Sequence, residues 1–163
     1  MVRIECDSGV VHELQQDSLR GINLAGFDLH RAKLDRADLE GSTLDRATLR
    51  AAALEGACLR NCSLVDAALQ GCWAKNADFR NADLTRAKLD AADFTGADLR
   101  GADLHSAVVW GTRFSGARLD GADMRCKQLE SAKLHGAISD AKTQWPEGFQ
   151  ALAHGVIIHH PHD

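Results

Sequence analysis

The 163-residue chain has no run of eighteen or more apolar residues, so no segment reads as a membrane-spanning helix. Its first residues, MVRIECDSGVVHEL, lack the apolar stretch of a secretory signal, and a cytoplasmic location is the expectation. It also lacks a basic excess. Nineteen Lys and Arg against 23 Asp and Glu leave a net charge of −4, which argues against direct nucleic-acid binding. The five cysteines are an odd count without metal-finger or redox-pair spacing, so reduced thiols are expected. Catalytic signatures are missing as well: there is no G-x-S-x-G, Walker loop, H-E-x-x-H or dinucleotide fingerprint. No enzyme, no cofactor and no catalytic residue is expected. What is present is 45% apolar and 26% charged, the balance of one globular domain.

That apolar content is periodic. From Leu19 to Leu134 a central residue recurs every fifth position, 24 times: eighteen Leu, then Phe79, Phe94, Phe114, Ala74, Val109 and Met124. Two residues before it, 19 of the 24 are Ala, Ser or Cys, so a large and a small residue alternate inward as i and i+2 do in a strand. Two residues after it, Gly occurs 11 times, as corners of the chain require. A period of five fits neither a helix nor a flat strand. It fits a chain that turns every five residues. The period leaves the number of corners per turn open; four would close a turn of 20 residues and make six turns of the 24 units. At about 4.8 Å per layer the stack would stand about 29 Å tall.

The unit, cleanest in ADFTGADLRGADL (Ala92 to Leu104), resembles the A(D/N)LXX repeat of the pentapeptide-repeat family. The segment TQWPEGF (Thr143 to Phe149) is similar to a T-x-W-P-x-G-F segment that closes many bacterial members. The resemblance implies an all-β fold, a right-handed quadrilateral β-helix of about six four-sided coils with short caps. The expected organisation is an N-terminal cap or strand over 1–16, the β-helix over 17–136, and a C-terminal cap with a His-rich tail over 137–163. Val2, Ile4 and Cys6 alternate before a turn at Asp7-Ser8-Gly9, which reads as a hairpin or strand feeding the first coil. Trp145, Phe149, Leu152, Val156, Ile157 and Ile158 offer hydrophobes for the other end, where Pro146 and Gly155 limit any helix.

Residues 20 apart should stack, so the faces can be read as columns through central positions 19, 24, 29 and 34. Their net charges over residues 17–136 are −1, −2, +1 and +2 in that order. On the second face Asp83, Asp103 and Asp123 should form one column. On the first, Asp78 and Asp98 have Arg80 and Arg100 two residues on. A column of like charge calls for compensation or a use; the plainer reading is a solvated repeat position bonded to local backbone. Trp110 follows a central Val109 and Trp73 precedes a central Ala74, so both should point outward, as an interface anchor does. The alternative is a local bulge, around Gly71-Cys72-Trp73-Ala74 above all, that turns the ring inward. Cys62 and Cys72 fall at inward small positions, whereas Cys58 and Cys126 should face out. His159, His160 and His162 with Asp163 either form a polar terminus or hold a transition metal.

The expected function is a non-enzymatic scaffold that presents rigid faces to a protein partner, with Asp78, Asp83, Asp98, Asp103, Asp123, Trp73 and Trp110 as candidate contacts. A monomer or an end-to-end homodimer fits, and neither a membrane nor a nucleic acid is called for. The family resemblance implies an alternative. Some members resemble B-form DNA in width and charge, bind DNA gyrase or another type II topoisomerase, and protect it from quinolones. This chain departs from them in its neutral repeat region and its lack of a long C-terminal helix.

Overall fold

A computed structural model describes residues 1–159 of the chain. Parallel bridges join residues 20 apart, four to a turn: Asn23 to Thr43, Asp28 to Thr48, Lys33 to Ala53 and Asp38 to Cys58. Each bridging residue immediately precedes a central one. The four-sided closure that the period left open is therefore set by backbone pairing between successive turns. A corner separates the bridges, and its geometry repeats without exception from Gly21 to Gly121. The residue two after the central one is left-handed, whether Gly (Gly41, φ 71°) or not (Arg46, φ 57°; Asn61, φ 56°). The next small residue donates its N–H back to the central carbonyl, as Ala47 does to Leu44 at 3.0 Å. Strand-like sides and corners thus both satisfy the main chain, which a buried coil requires.

The interior is filled in two kinds of position. Central residues from Leu24 onward and small residues such as Ala47, Ala57 and Ala97 are fully buried. Where the small residue is polar, its hydroxyl bonds the neighbouring turn: Thr112 donates to the Leu89 carbonyl at 2.8 Å, and Ser42 to that of Leu19 at 2.6 Å. The rings of Phe79 and Phe94 meet at 5.1 Å, and those of Phe94 and Phe114 at 5.7 Å. They, not Trp73, accompany the small Ala74 in the core.

One turn breaks register. Val108 pairs with Lys127, 19 residues on, and Asp123 with Gln144, 21 on. The periodic pattern would have put the Lys127 ammonium inside, where an unpaired charge is far too costly. Instead the chain slips by one residue, Cys126 takes the inward place at 8% exposure, and the slack is absorbed by Gln128 (φ 63°) and a 3-10 helix over Leu129–Ser131. This corrects the outward placement expected of Cys126.

Both ends are covered. The strands β1 (Val2–Glu5) and β2 (Val11–Leu14) form an antiparallel hairpin, and the first turn joins it where the Lys33 N–H donates to the Glu5 carbonyl at 2.8 Å. At the far end β3 (Ile138–Ser139) pairs in parallel with β4 (Ile157–Ile158), after a 3-10 helix over Ala151–His154 that ends at the left-handed Gly155. Trp145 stacks on Phe149 at 5.4 Å, and Phe149 on His154 at 4.5 Å. Val156 is buried, but Leu152 and Ile157 project into solvent, so not every expected cap hydrophobe caps. His160, His162 and Asp163 lie outside the described residues; His159 contacts Asp120. Among the described residues no helix is long and apolar enough to cross a membrane.

Candidate partner-binding surface

The outer surface consists of two columns per face: the bridging residue before each central position and the residue after it. Backbone pairing therefore decides which side chains meet. On the first face this alternation makes one continuous chain of ion pairs. Arg20 reaches Asp38 at 2.8 Å and Glu40 at 2.7 Å, and Arg60 reaches Glu40 at 2.9 Å and Asp78 at 3.8 Å. Arg80 holds Asp78 at 2.6 Å and Asp98 at 3.7 Å, and Arg100 holds Asp98 at 2.5 Å. Burial opposes ionisation of Asp78 and Asp98, yet the hydrogen bonds from Arg80 and Arg100 outweigh it and keep both carboxyls below the ordinary range. These two candidate contacts are occupied by their own neighbours. In the same ladder Asp38, Glu40 and Cys58 bring three ligand atoms within 4.8 Å of one another. A metal there would have to displace Arg20 and Arg60 from the carboxylates.

The second face carries the expected column, with Asp83 bridged to Asp103 and Asp103 to Asp123. Each carboxylate accepts the N–H two residues on: Thr85 at 2.9 Å, His105 at 2.8 Å and Arg125 at 3.0 Å. Arg125 also grips Asp123 with its side chain at 2.5 Å and lowers its pKa, burial opposing. Arg86 turns away from the column to make a two-pronged bond with Asp66, at 2.8 and 2.9 Å. Among the described residues, Asp83 and Asp103 have no ion-pair partner. The column is real, but only two of its three charges are uncompensated.

Both tryptophans face outward. Trp73 and Trp110 are each 57% exposed, while Cys72 and Ala74 on either side of Trp73 are fully buried. Trp73 keeps its ladder pairing, with Ala53 below and Asp93 above, so the backbone does not bulge. Beside it lie side chains that sequence reading did not single out. Asp93 receives Lys75 Nζ at 3.7 Å and Arg113 at 3.5 Å, an arrangement that requires the 20-residue register to be recognised.

Comparison with known proteins adds a family to this geometry. The sequence model described as pentapeptide repeats (8 copies) matches residues 18–50, 28–64, 62–101 and 97–136. The crystal structure of alr5209, a pentapeptide repeat protein from Nostoc Pcc 7120, is 33% identical, with 72% of this chain and 84% of that one covered at a TM-score of 0.56. Rfr23, a pentapeptide repeat protein from the cyanobacterium Cyanothece 51142, is 25% identical, with 77% and 88% covered at a TM-score of 0.51. QnrB1, a plasmid-mediated fluoroquinolone resistance protein, is 16% identical over 78% and 79% of the two chains at a TM-score of 0.43, too remote for its role to transfer. Comparison with curated proteins gives no match. The four matched segments overlap into a span from 18 to 136, most of the chain, and the chain belongs to the pentapeptide-repeat family.

Proposed function

We propose that this protein is a non-enzymatic scaffold that binds a protein partner through the outer rows of its coil. The observation that carries the reading is the pair of exposed indoles, Trp73 and Trp110, held on flat sides whose backbone is hydrogen-bonded to neighbouring turns. A Trp left in water forfeits a large burial gain, and such rings are favoured anchors where a partner supplies the missing cover. The filled interior supports the same reading, since a small-molecule enzyme needs a concave site. Five free thiols fit a cytoplasmic setting. The test is affinity capture with the wild type, Trp73→Ala and Trp110→Ala, each checked for an unchanged melting curve. Loss of one and the same partner from a variant supports the proposal. Identical capture by all three overturns it.

A second reading is favoured by one feature, the stacked and uncompensated Asp83 and Asp103. Under it the second face stands in for phosphates and engages a type II topoisomerase. A gyrase supercoiling assay at two salt concentrations tests it, because binding through such charges weakens as salt rises. Salt-sensitive inhibition that Asp83→Asn with Asp103→Asn removes would favour it over the tryptophan surface.

A further inference from the structure

We propose that the upper half of the fourth face, from Trp73 to Lys133, is a docking surface for an acidic segment of a partner protein. The inference rests on the scaffold reading and adds the chemistry of what is bound.

The column through Trp73 continues in register to Asp93, Arg113 and Lys133. Lys75 follows Trp73 in the same turn, on the same side. Three cations therefore share this surface with a single anion, and that anion is spent. Asp93 is only 5% exposed, accepts the Thr95 N–H at 3.0 Å, and lies between Lys75 and Arg113 at 3.7 and 3.5 Å. Asp93 thereby holds the two cations at fixed places above the indole. Their own side chains remain about half exposed, 50% for Lys75 and 56% for Arg113, and still have N–H donors to spare. Among the described residues Lys133 has no ion-pair partner. The result is one large apolar ring with a net local charge of +2, counting Lys75, Arg113 and Lys133 against Asp93.

The other direction along the stack is different. Below Lys75 the same column carries Glu55, whose carbonyl accepts the Arg36 N–H at 2.9 Å, and beneath it Asp35. Lys33 and Arg36 balance these two acids, so the lower half of the face has no net charge. An acidic chain is attracted upward from Trp73 and gains nothing below it, which gives the surface a polarity as well as a sign. A rigid sheet face adds little ordering cost to binding, and the indole supplies the apolar contact that charge alone does not. A single-stranded nucleic acid would also find an aromatic ring and cations. Two layers separate Trp73 from Arg113, and no second ring lies in this column to take a second base, so a peptide with one apolar anchor fits better.

The test uses the full-length protein labelled with 15N. Three probes are titrated at low salt: a 12-residue peptide of Glu, Leu and Ser, its counterpart with every Glu replaced by Lys, and a thymidine 12-mer. The readout is the indole N–H resonance of Trp73, assigned by its disappearance in Trp73→Phe. A saturable shift with the Glu peptide alone is expected, weakening at least five-fold at 0.5 M salt. Arg113→Gln with Lys133→Gln should weaken binding by a similar factor while the melting temperature stays put. Equal binding of the Lys peptide, or no saturable shift with the Glu peptide at millimolar concentration, overturns the proposal; preference for the oligonucleotide replaces it with a nucleic-acid site. If the peptide fails while Trp73→Ala still loses a captured partner, the acidic chemistry falls and the scaffold reading stands. If both fail, both fall.

Discussion

The side-chain oxygen of Asn76 occupies the space above Gly96: a Cβ placed on that glycine would sit 2.5 Å from Asn76 Oδ1. The two residues are one turn apart at the same corner, and Gly96 is left-handed at φ 69°. Gly96→Ala therefore meets a clash and the steric cost of a left-handed L-residue, the latter about 1–2 kcal/mol. Ala91 stands at another corner with φ 56° and already bears that cost. Ala91→Gly should remove it against about 0.5–1 kcal/mol of added chain entropy, for a small net gain. Denaturant titration of the two variants should move the midpoint in opposite directions, with the Gly96→Ala loss the larger.

The corner rule was legible because the chain repeats it many times over, and the columns followed once residues 20 apart were taken to stack. Asp83, Asp103 and Asp123 could be placed in this way without coordinates, and so could the inward Cys72. The direction of Trp73 could not, because a bulge beside the small Ala74 was open until the pairing of Trp73 with Ala53 and Asp93 excluded it. The slip at Lys127 could not. Leu129 keeps the five-residue spacing there and is buried, so the pattern hides the fact that its small partner has changed from position 127 to Cys126. Ion-pair choice was equally hidden. Arg86 stands two residues past Leu84 on the acidic face, yet it bonds Asp66 in the turn below, because corner side chains pair with corner side chains along the stack.

Burial sorts the thiols. It pushes Cys62, Cys72 and Cys126 up to about 12, and raises Cys6 with help from Asp28 and Asp7. Cys58 is half-buried on the outer ladder beside Arg60. Since the thiolate is the reactive form, a disulfide reagent at pH 8 should modify one thiol per native chain and five in 6 M guanidinium. Cys58→Ser should abolish the native reaction. Rapid modification of two or more would contradict the burial of at least one of the other four thiols.

Acid should loosen the ladder from its carboxylates. Asp78, Asp98 and Asp123 have folded pKa values below the ordinary value of about 3.9. Their ionised forms are thus favoured by folding. That contribution is complete above the unfolded value and disappears as pH falls through the folded values. The melting temperature should fall steeply below pH 4. Asp98→Asn should melt lower than wild type at pH 7 and lose less between pH 5 and pH 3. An equal acid loss in both proteins would show that Asp98 is not linked to folding.

The opposite sign is expected of two second-face carboxylates that lack an ion pair. Asp83 and Asp103 lie in adjacent layers, accept backbone N–H groups at 2.9 and 2.8 Å, and have no ion-pair partner among the described residues. Asparagine keeps the accepting oxygen and removes the charge. Asp83→Asn with Asp103→Asn should therefore stabilise the protein at low salt, by about 0.2–1 kcal/mol if like-charge repulsion across strands sets the scale. The gain should shrink at 0.5 M salt, where exposed charges are screened. If stability falls instead, the charge-strengthened N–H bonds outweigh the repulsion, and the column is a structural device. A stabilised variant makes the topoisomerase comparison clean, because any loss of inhibition then reports on binding, with the coil intact and the two charges alone removed.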